Sequence, residues 1–137
     1  MNDLVAEKFN LQEYLDKNYP GRPVVVALSH PWDDPNINKY FTGKEMNGKF
    51  ADKGLAILNI CDERGETRMW KNLAARFGGA NIRIDDATYD TIGRDFGLDT
   101  GSPLSYLFFD RAHKLVVALP SFPGAECYGE FLEGITK

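Results

Sequence analysis

An uninterrupted apolar stretch, Val24–Leu28, dominates the first third of the chain. Because no polar residue alternates within it, the stretch predicts a strand that is covered on both faces. A second stretch of the same kind, Leu55–Cys61, follows later. Apolar residues at helical spacing from Ile37 to Phe50 predict a crossover helix between them, irregular in its second half. The two strands should therefore be parallel neighbours.

The rest of the chain alternates between helical and strand patterns. A capping box that begins at Asn10 predicts a short first helix that ends near Tyr19-Pro20-Gly21. Spacing beyond the second strand predicts further elements with these bounds: helix Met69–Phe77, strand Asn81–Ile84, helix Tyr89–Phe96, hairpin strands Ser105–Phe109 and Lys114–Leu119, and a last helix opened by Ser121-Phe122-Pro123.

The order β-α-β-α-β-α-β-β-α predicts an α/β fold. We expect a central mixed β-sheet, in which parallel strands come first and a C-terminal antiparallel hairpin lies beside the first strand. Helices should flank both faces of this sheet. We expect residues 1–137 to form a single domain, since 137 residues, 43% of them hydrophobic, suffice for one core.

The composition limits the classes of partner. A net charge of −4, with acids and bases interspersed, gives no basic stripe for nucleic acid or an anionic membrane. No apolar run reaches the roughly 18 residues of a membrane span, and the amino terminus has no signal-peptide pattern. We therefore expect no nucleic-acid partner and no membrane insertion. The two cysteines, Cys61 and Cys127, lie too far apart in sequence to form a metal or redox motif.

The segment that follows the first strand is the candidate site. Ser29–Trp32 ends the apolar stretch, and Asp33-Asp34-Pro35-Asn36 follows. Aspartate before proline predicts a helix start, because the carboxylate accepts hydrogen bonds from free backbone N–H groups and proline suits the first turn. Trp32 on such a loop is costly unless it packs against the protein or binds a ligand, and both alternatives stay open.

This segment resembles the redox loop Trp-Cys-x-Pro-Cys of thioredoxin-like proteins, with Asp33 and Asn36 in the two cysteine positions. Over about residues 10–135, the chain is similar to the bacterial TlpA-like thiol-disulfide oxidoreductases, which are related to the AhpC/TSA peroxidases and serve cell redox homeostasis. Three other places carry the resemblance: the strand end Asn59–Asp62, Trp70, and the segment from Pro103 to Asp110. The resemblance implies a thioredoxin-like fold.

The departures from the family pattern affect its chemistry. In the family, a helix amino terminus lowers the pKa of the first cysteine and makes it a nucleophile. Asp33 cannot exchange disulfides, and Asn36 removes the cysteine that would resolve a mixed disulfide. A carboxylate that assists proton transfer in many thioredoxins would fall near Ala27. The sequence therefore predicts a degenerate CxxC motif without redox activity.

Two positions in the second half depart from the family in spacing or residue type. Pro103 matches the cis-proline that faces the redox loop, but its distance to Asp110 is one residue longer than the family's usual spacing. A cis bond, a trans bond and a bulge are all compatible with this length. His113 occupies a turn position where the family usually has glycine.

We expect a redox-inactive module that binds a protein or an extended peptide through the former active-site surface, formed by Trp32, Asp33, Asp34, Pro35, Asn36, Ser102 and Pro103. The alternative is a thiol-disulfide oxidoreductase or peroxidase relative that acts through Cys61. Burial of Cys61 and Cys127 as small apolar side chains is the expectation for both thiols. Activity as an enzyme is not expected.

A metal or acid–base site formed by His30, Asp33 and Asp34 is a third hypothesis. The structural role is favoured, because one aspartate caps the helix and a helix amino terminus disfavours a cation. We expect no metal and no cofactor. The resemblance implies a periplasmic or other extracytoplasmic location, and the oligomeric state stays open.

Overall fold

A computed structural model of the chain describes residues 10–29, 48–63, 80–98, 104–119 and 125–137. The helices and strands within these ranges have the following bounds: α1 Leu11–Asn18, β1 Val24–Ser29, β2 Ala56–Cys61, β3 Ala80–Arg83, α2 Asp86–Asp95, β4 Leu104–Phe109, β5 Leu115–Leu119 and α3 Ala125–Ile135. A short 3-10 helix, Ala51–Lys53, precedes β2. Each observed strand bound lies within one residue of its predicted place.

The five strands form one mixed sheet in the order β3-β2-β1-β4-β5. β1 is parallel to β2, and β2 is parallel to β3. β4 is antiparallel to both of its neighbours, β1 and β5. The predicted combination of parallel first strands with an antiparallel hairpin beside β1 is therefore confirmed.

β1 lies at the centre of this sheet and is buried on both faces. The exposed fraction of each residue from Val24 to Leu28 is at most 3%. Val24, Val26 and Leu28 belong to the core on one face, whereas Val25 and Ala27 belong to the core on the other. Because side chains alternate along a strand, the uninterrupted apolar stretch fills both cores at once.

Helices cover the two faces, as predicted. α1 and α2 pack on one face, through buried residues Leu11, Leu15, Tyr89 and Ile92. α3 packs on the other face, through buried residues Tyr128, Leu132 and Ile135. The spacing of these apolar residues places them along one side of each helix, which explains why the sequence pattern was sufficient to predict them.

Capping residues fix the ends of α1 and α2. The Asn10 side chain accepts a hydrogen bond from the Glu13 backbone N–H at 3.0 Å, which confirms the predicted cap. The Asp85 side chain accepts a hydrogen bond from the Thr88 backbone N–H in the same way at the start of α2. Gly97 follows the end of α2 with φ of 72°, a conformation that glycine adopts without steric cost.

A short turn organised by Asp110 connects β4 to β5. The Asp110 Oδ1 atom accepts hydrogen bonds from the backbone N–H groups of Ala112 at 2.9 Å and Lys114 at 3.0 Å. His113 has φ of 62°, in the left-handed region that favours glycine. The backbone thus keeps the conformation expected for glycine at this position, although the residue is histidine.

The hairpin contains an irregularity in β5. Phe108 is opposite Val117 and Phe109 is opposite Leu115, so Val116 has no partner in β4. Val116 is also 52% exposed. An extra residue of this kind bends an edge strand and makes it a poorer template for pairing with another chain.

Some predicted elements lie outside the described residues. They include the helix Met69–Phe77, most of the predicted crossover helix, and Ser121–Pro123 before α3. In the part of the chain that is described, no helix has the length and apolar character required to cross a membrane.

Replacing Phe108 by alanine should destabilise the fold strongly. Phe108 is fully buried, and its ring centroid lies 5.5 Å from that of Tyr128 and 5.2 Å from that of Phe131 on α3. We expect Phe108→Ala to lower the free energy of unfolding by about 3–5 kcal/mol in urea titrations. Val116→Ala in the same hairpin is the control and should change it by less than about 0.5 kcal/mol. Equal losses in the two variants would contradict the packing of α3 on the sheet.

Candidate functional site

The predicted binding residues lie outside the described part of the chain, but the positions at which their segments join the sheet are described. The members of this predicted set are Trp32, Asp33, Asp34, Pro35, Asn36, Ser102 and Pro103. The first segment continues from Ser29, the last residue of β1, and the second ends where β4 begins at Leu104. The possible cis bond at Pro103 and the possible His30–Asp33–Asp34 metal site also lie outside the described residues.

Ser29 and Leu104 are neighbours in the sheet. Antiparallel pairing of β1 with β4 places Ser29 opposite Leu104, and Leu28 opposite Ser105. Parallel pairing with β2 places Cys61 on the other side of Ser29. Three strand ends therefore lie side by side at one end of the sheet, called here the Ser29 end. Ligand sites of open α/β sheets occur outside the carboxyl ends of strands, which makes the Ser29 end the candidate site.

The position expected for the family's proton-transfer carboxylate is apolar. Ala27 is 3% exposed and lies opposite Tyr106 in β4. Tyr106 is also buried, with its ring centroid 5.8 Å from that of Tyr128 on α3. An alanine side chain cannot accept or donate a proton, so position 27 provides no acid or base for the Ser29 end.

Cys61 is at the Ser29 end but is enclosed. It is 2% exposed, as the sequence predicted for a small apolar side chain. Burial was also expected for Cys127, but this residue is only partly buried. Tyr128, the next residue on α3, is the one buried against the sheet. Adjacent helical residues point in directions about 100° apart, so Cys127 lies at the margin of the buried face. The two cysteines are not linked by a disulfide.

A polar network fixes the chain after β2. Ile84 donates its backbone N–H to the Cys61 carbonyl at 2.8 Å, and Arg83 Nε donates to the Asp62 carbonyl at 3.1 Å. The Glu63 backbone N–H donates to Asp86 Oδ1 at 3.0 Å. These bonds hold the ends of β2 and β3 against the start of α2. The network therefore connects β2, β3 and α2 beside the Ser29 end.

The sequence singled out two members of this network, Cys61 and Asp62. Asp62 was noted as the acidic residue that ends the strand, and it is fully buried. Arg83 and Asp86 were not predicted as members of the network. Arg83 ends β3 and Asp86 begins α2, at the same end of the sheet. In the described ranges, no three histidine, cysteine, aspartate or glutamate side chains are grouped so that they could hold a metal ion.

Comparisons with known proteins identify the fold. No model of a known protein family matches the chain, and no curated protein matches it. Solved structures do match. A thiol:disulfide interchange protein from Bacteroides sp. has a TM-score of 0.70 at 13% sequence identity, over 99% of this chain and 86% of that protein. A thioredoxin-family thiol:disulfide interchange protein from Chlorobium tepidum TLS has a TM-score of 0.67 at 12% identity, over 89% of this chain and 85% of that one.

A secreted disulfide oxidoreductase from Mycobacterium tuberculosis is more distant, with a TM-score of 0.58 at 11% identity, over 86% of this chain and 85% of that protein. At such low identities, the similarity establishes the fold and leaves function to be argued from the site. The chain therefore has a thioredoxin-like α/β fold, and the three solved proteins named here are two thiol:disulfide interchange proteins and a disulfide oxidoreductase.

The burial of Cys61 predicts a difference in thiol reactivity. We expect a thiol-specific reagent to modify Cys127 faster than Cys61 in the native protein, by at least about tenfold, since modification of a buried thiol requires local opening. Cys61→Ser and Cys127→Ser each leave one thiol to be followed by mass spectrometry. In urea the two rates should become similar. Rapid modification of Cys61 in the folded Cys127→Ser protein would contradict its enclosed position.

Proposed function

We propose that this chain is a redox-inactive thioredoxin-like domain that binds a protein or an extended peptide at the Ser29 end. The observation that carries the proposal is the pairing of Ser29 with Leu104. Because of this pairing, the segment with Trp32 leaves the sheet next to the position at which the segment with Pro103 enters it. The former active-site surface would then consist of Trp32, Asp33, Asp34, Pro35, Asn36, Ser102 and Pro103.

The available side chains support a loss of disulfide exchange. That reaction needs a thiolate nucleophile and a second thiol to resolve the mixed disulfide. The matching positions hold Asp33 and Asn36. Cys61 is nearby in the sheet, but its 2% exposure is unfavourable for attack on a disulfide of another protein. These features support binding over catalysis by Cys61, the alternative function.

The proposed ligand is an extended peptide, because in this conformation its backbone groups are free to contact another chain. An extended peptide presents backbone N–H and C=O groups to a neighbouring chain, while an aromatic ring such as that of Trp32 provides apolar contact area. The net charge of −4 gives no basis for a nucleic-acid ligand. The secreted Mycobacterium tuberculosis protein with the same fold supports a site of action outside the cytoplasm.

Catalysis can be tested with an insulin-reduction assay. We expect the protein to give no acceleration of insulin reduction by dithiothreitol above the reductant alone, because neither cysteine has a resolving partner. An active thioredoxin in the same assay shows that turnover is detectable. Turnover by this protein that disappears in Cys61→Ser would establish the enzyme alternative and contradict the proposal.

Binding can be tested with an extended peptide that has no free thiol. Carboxymethylated insulin B chain is a suitable probe, followed by the amide resonances of Ser29 and Ser105 in a nuclear magnetic resonance titration. We expect these resonances to shift, and the shifts to be lost in Trp32→Ala. Lys114→Ala is the control, since Lys114 is exposed at the opposite end of the sheet and should leave binding unchanged. Equal binding by the wild type and Trp32→Ala would contradict the proposed surface.

A further inference from the structure

A buried imidazole joins the β4–β5 turn to the first helix. His113 Nδ1 lies 2.6 Å from Asp16 Oδ1 on α1, and His113 Nε2 lies 2.8 Å from the Tyr19 carbonyl and 3.0 Å from the Arg22 carbonyl. We call these four residues the His113 cluster. Gln12 Nε2 adds a fourth contact by donating to the His113 carbonyl at 3.1 Å. Residues about one hundred positions apart are thereby connected.

Histidine is an unfavourable residue for the backbone at this position. The φ of 62° brings Cβ close to the backbone in any residue except glycine. Glycine would adopt the same turn without this cost. The contacts of the imidazole must therefore offset the strain, which indicates that the side chain has a role beyond forming the turn.

The geometry favours one protonation state of the ring. Both ring nitrogens face oxygen atoms, and an ionised carboxylate or a backbone carbonyl can only accept a hydrogen bond. A neutral imidazole has one N–H, so its other nitrogen would direct a lone pair at an oxygen. The His113 side chain is only 3% exposed, so water has little access to satisfy that nitrogen. The imidazolium form, with two N–H groups, satisfies every contact.

The other charged groups of the surrounding elements have different partners. Arg22 Nε donates to the Gly54 carbonyl at 2.8 Å, and Arg111 Nη2 donates to the Lys53 carbonyl at 2.6 Å. The Asp110 carboxylate accepts hydrogen bonds from backbone N–H groups of its own turn. The remaining charged side chains of α1 and the turn are exposed to solvent: Glu13, Lys17 and Lys114.

Two phenols belong to the same part of the chain, Tyr14 on α1 and Tyr19 directly after it. Burial raises the pKa of Tyr14, and burial together with the charge of Tyr14 raises the pKa of Tyr19, against the opposing effect of Arg22. Both phenols are therefore neutral near neutral pH. Asp16, which is 62% exposed, is the charged side chain in contact with the imidazole.

We propose that the His113 cluster is a pH-sensitive contact that holds α1 and residues 19–22 on the β4–β5 turn while the imidazole carries two protons. Loss of one proton leaves a buried nitrogen facing an oxygen and weakens the attachment of α1. The cluster is at the opposite end of the sheet from Ser29 and Leu104. The proposal is therefore independent of the binding function proposed above.

The direction in which pH changes the stability follows from a comparison of His113 in the folded and the unfolded chain. In the unfolded chain, the imidazole loses its proton near its ordinary pKa of about 6.5. A contact that favours the proton in the folded state contributes stability that is complete below that value and is lost as the pH rises past it. Raising the pH from 5.5 to 7.5 should therefore lower the urea midpoint of the wild type, by about 0.5 M or more.

Asp16→Asn is the decisive variant. The asparagine amide has nearly the same shape as the carboxylate and can donate an N–H to Nδ1, so a neutral imidazole that donates from Nε2 is then fully satisfied. Asp16 is exposed enough for the variant to fold. We expect the pH-dependent fall in urea midpoint to be small or absent in Asp16→Asn. His30 is present in both proteins, so its contribution cancels in the comparison. An unchanged fall would overturn the proposal.

His113→Gly is the second variant, because it relaxes the turn while it removes the ring. The fall in urea midpoint between pH 5.5 and 7.5 should be absent in this protein as well, and its persistence would overturn the proposal. Nitrogen resonances of the imidazole provide a direct measurement. We expect the second His113 proton to persist to higher pH in the wild type than in Asp16→Asn, because only the wild type offers oxygen acceptors to both nitrogens. Loss of that proton at the same pH in both proteins would also overturn the proposal.

Discussion

The burial of β1 on both faces is the constraint on which the rest of the structure depends. A strand with apolar side chains on both faces cannot lie at the edge of a sheet or against water without a large loss of hydrophobic stabilisation. Val24–Leu28 therefore occupies the centre, with β2 on one side and β4 on the other. The positions of both ends of β1 are thereby set. The segment that precedes Val24 ends at a defined place on the sheet, and the segment that follows Ser29 begins at one.

The two ends of the sheet differ in how they are stabilised. At the amino end of β1, cationic side chains donate hydrogen bonds to backbone carbonyls outside the strands. Arg111 donates to the carbonyls of Lys53, Thr136 and Lys137, and Arg22 donates to that of Gly54. Such charge-assisted hydrogen bonds connect the termini of several elements. The Ser29 end has neighbouring strand ends, from which the chain continues towards the residues of the proposed binding surface.

Local signals explain which parts of the structure could be predicted from the sequence. The cap at Asn10, the apolar stretch Val24–Leu28 and the turn at Asp110 each depend on residues close together in the chain, and all were found. Contacts between distant residues leave no such signal. Asp16 and His113 are 97 positions apart, and nothing in either local sequence indicates their pairing. The bulge at Val116 escaped prediction because the alternation of apolar residues does not specify the register of an edge strand. For the candidate site, the sequence predicted residues that lie outside the described part of the chain, while the pairing of Ser29 with Leu104 came from the sheet.

Restoring the two cysteines tests the central claim, that Trp32–Asn36 is a thioredoxin redox loop whose cysteines have been replaced. Asp33→Cys with Asn36→Cys, in a protein with Cys61→Ser and Cys127→Ser, introduces two thiols at i and i+3 of a predicted helix start, close enough for a disulfide. The measurement is mass spectrometry after mild oxidation and alkylation, with and without prior reduction. We predict an intramolecular disulfide that the reductant opens. Two alkylated thiols after oxidation would contradict the account.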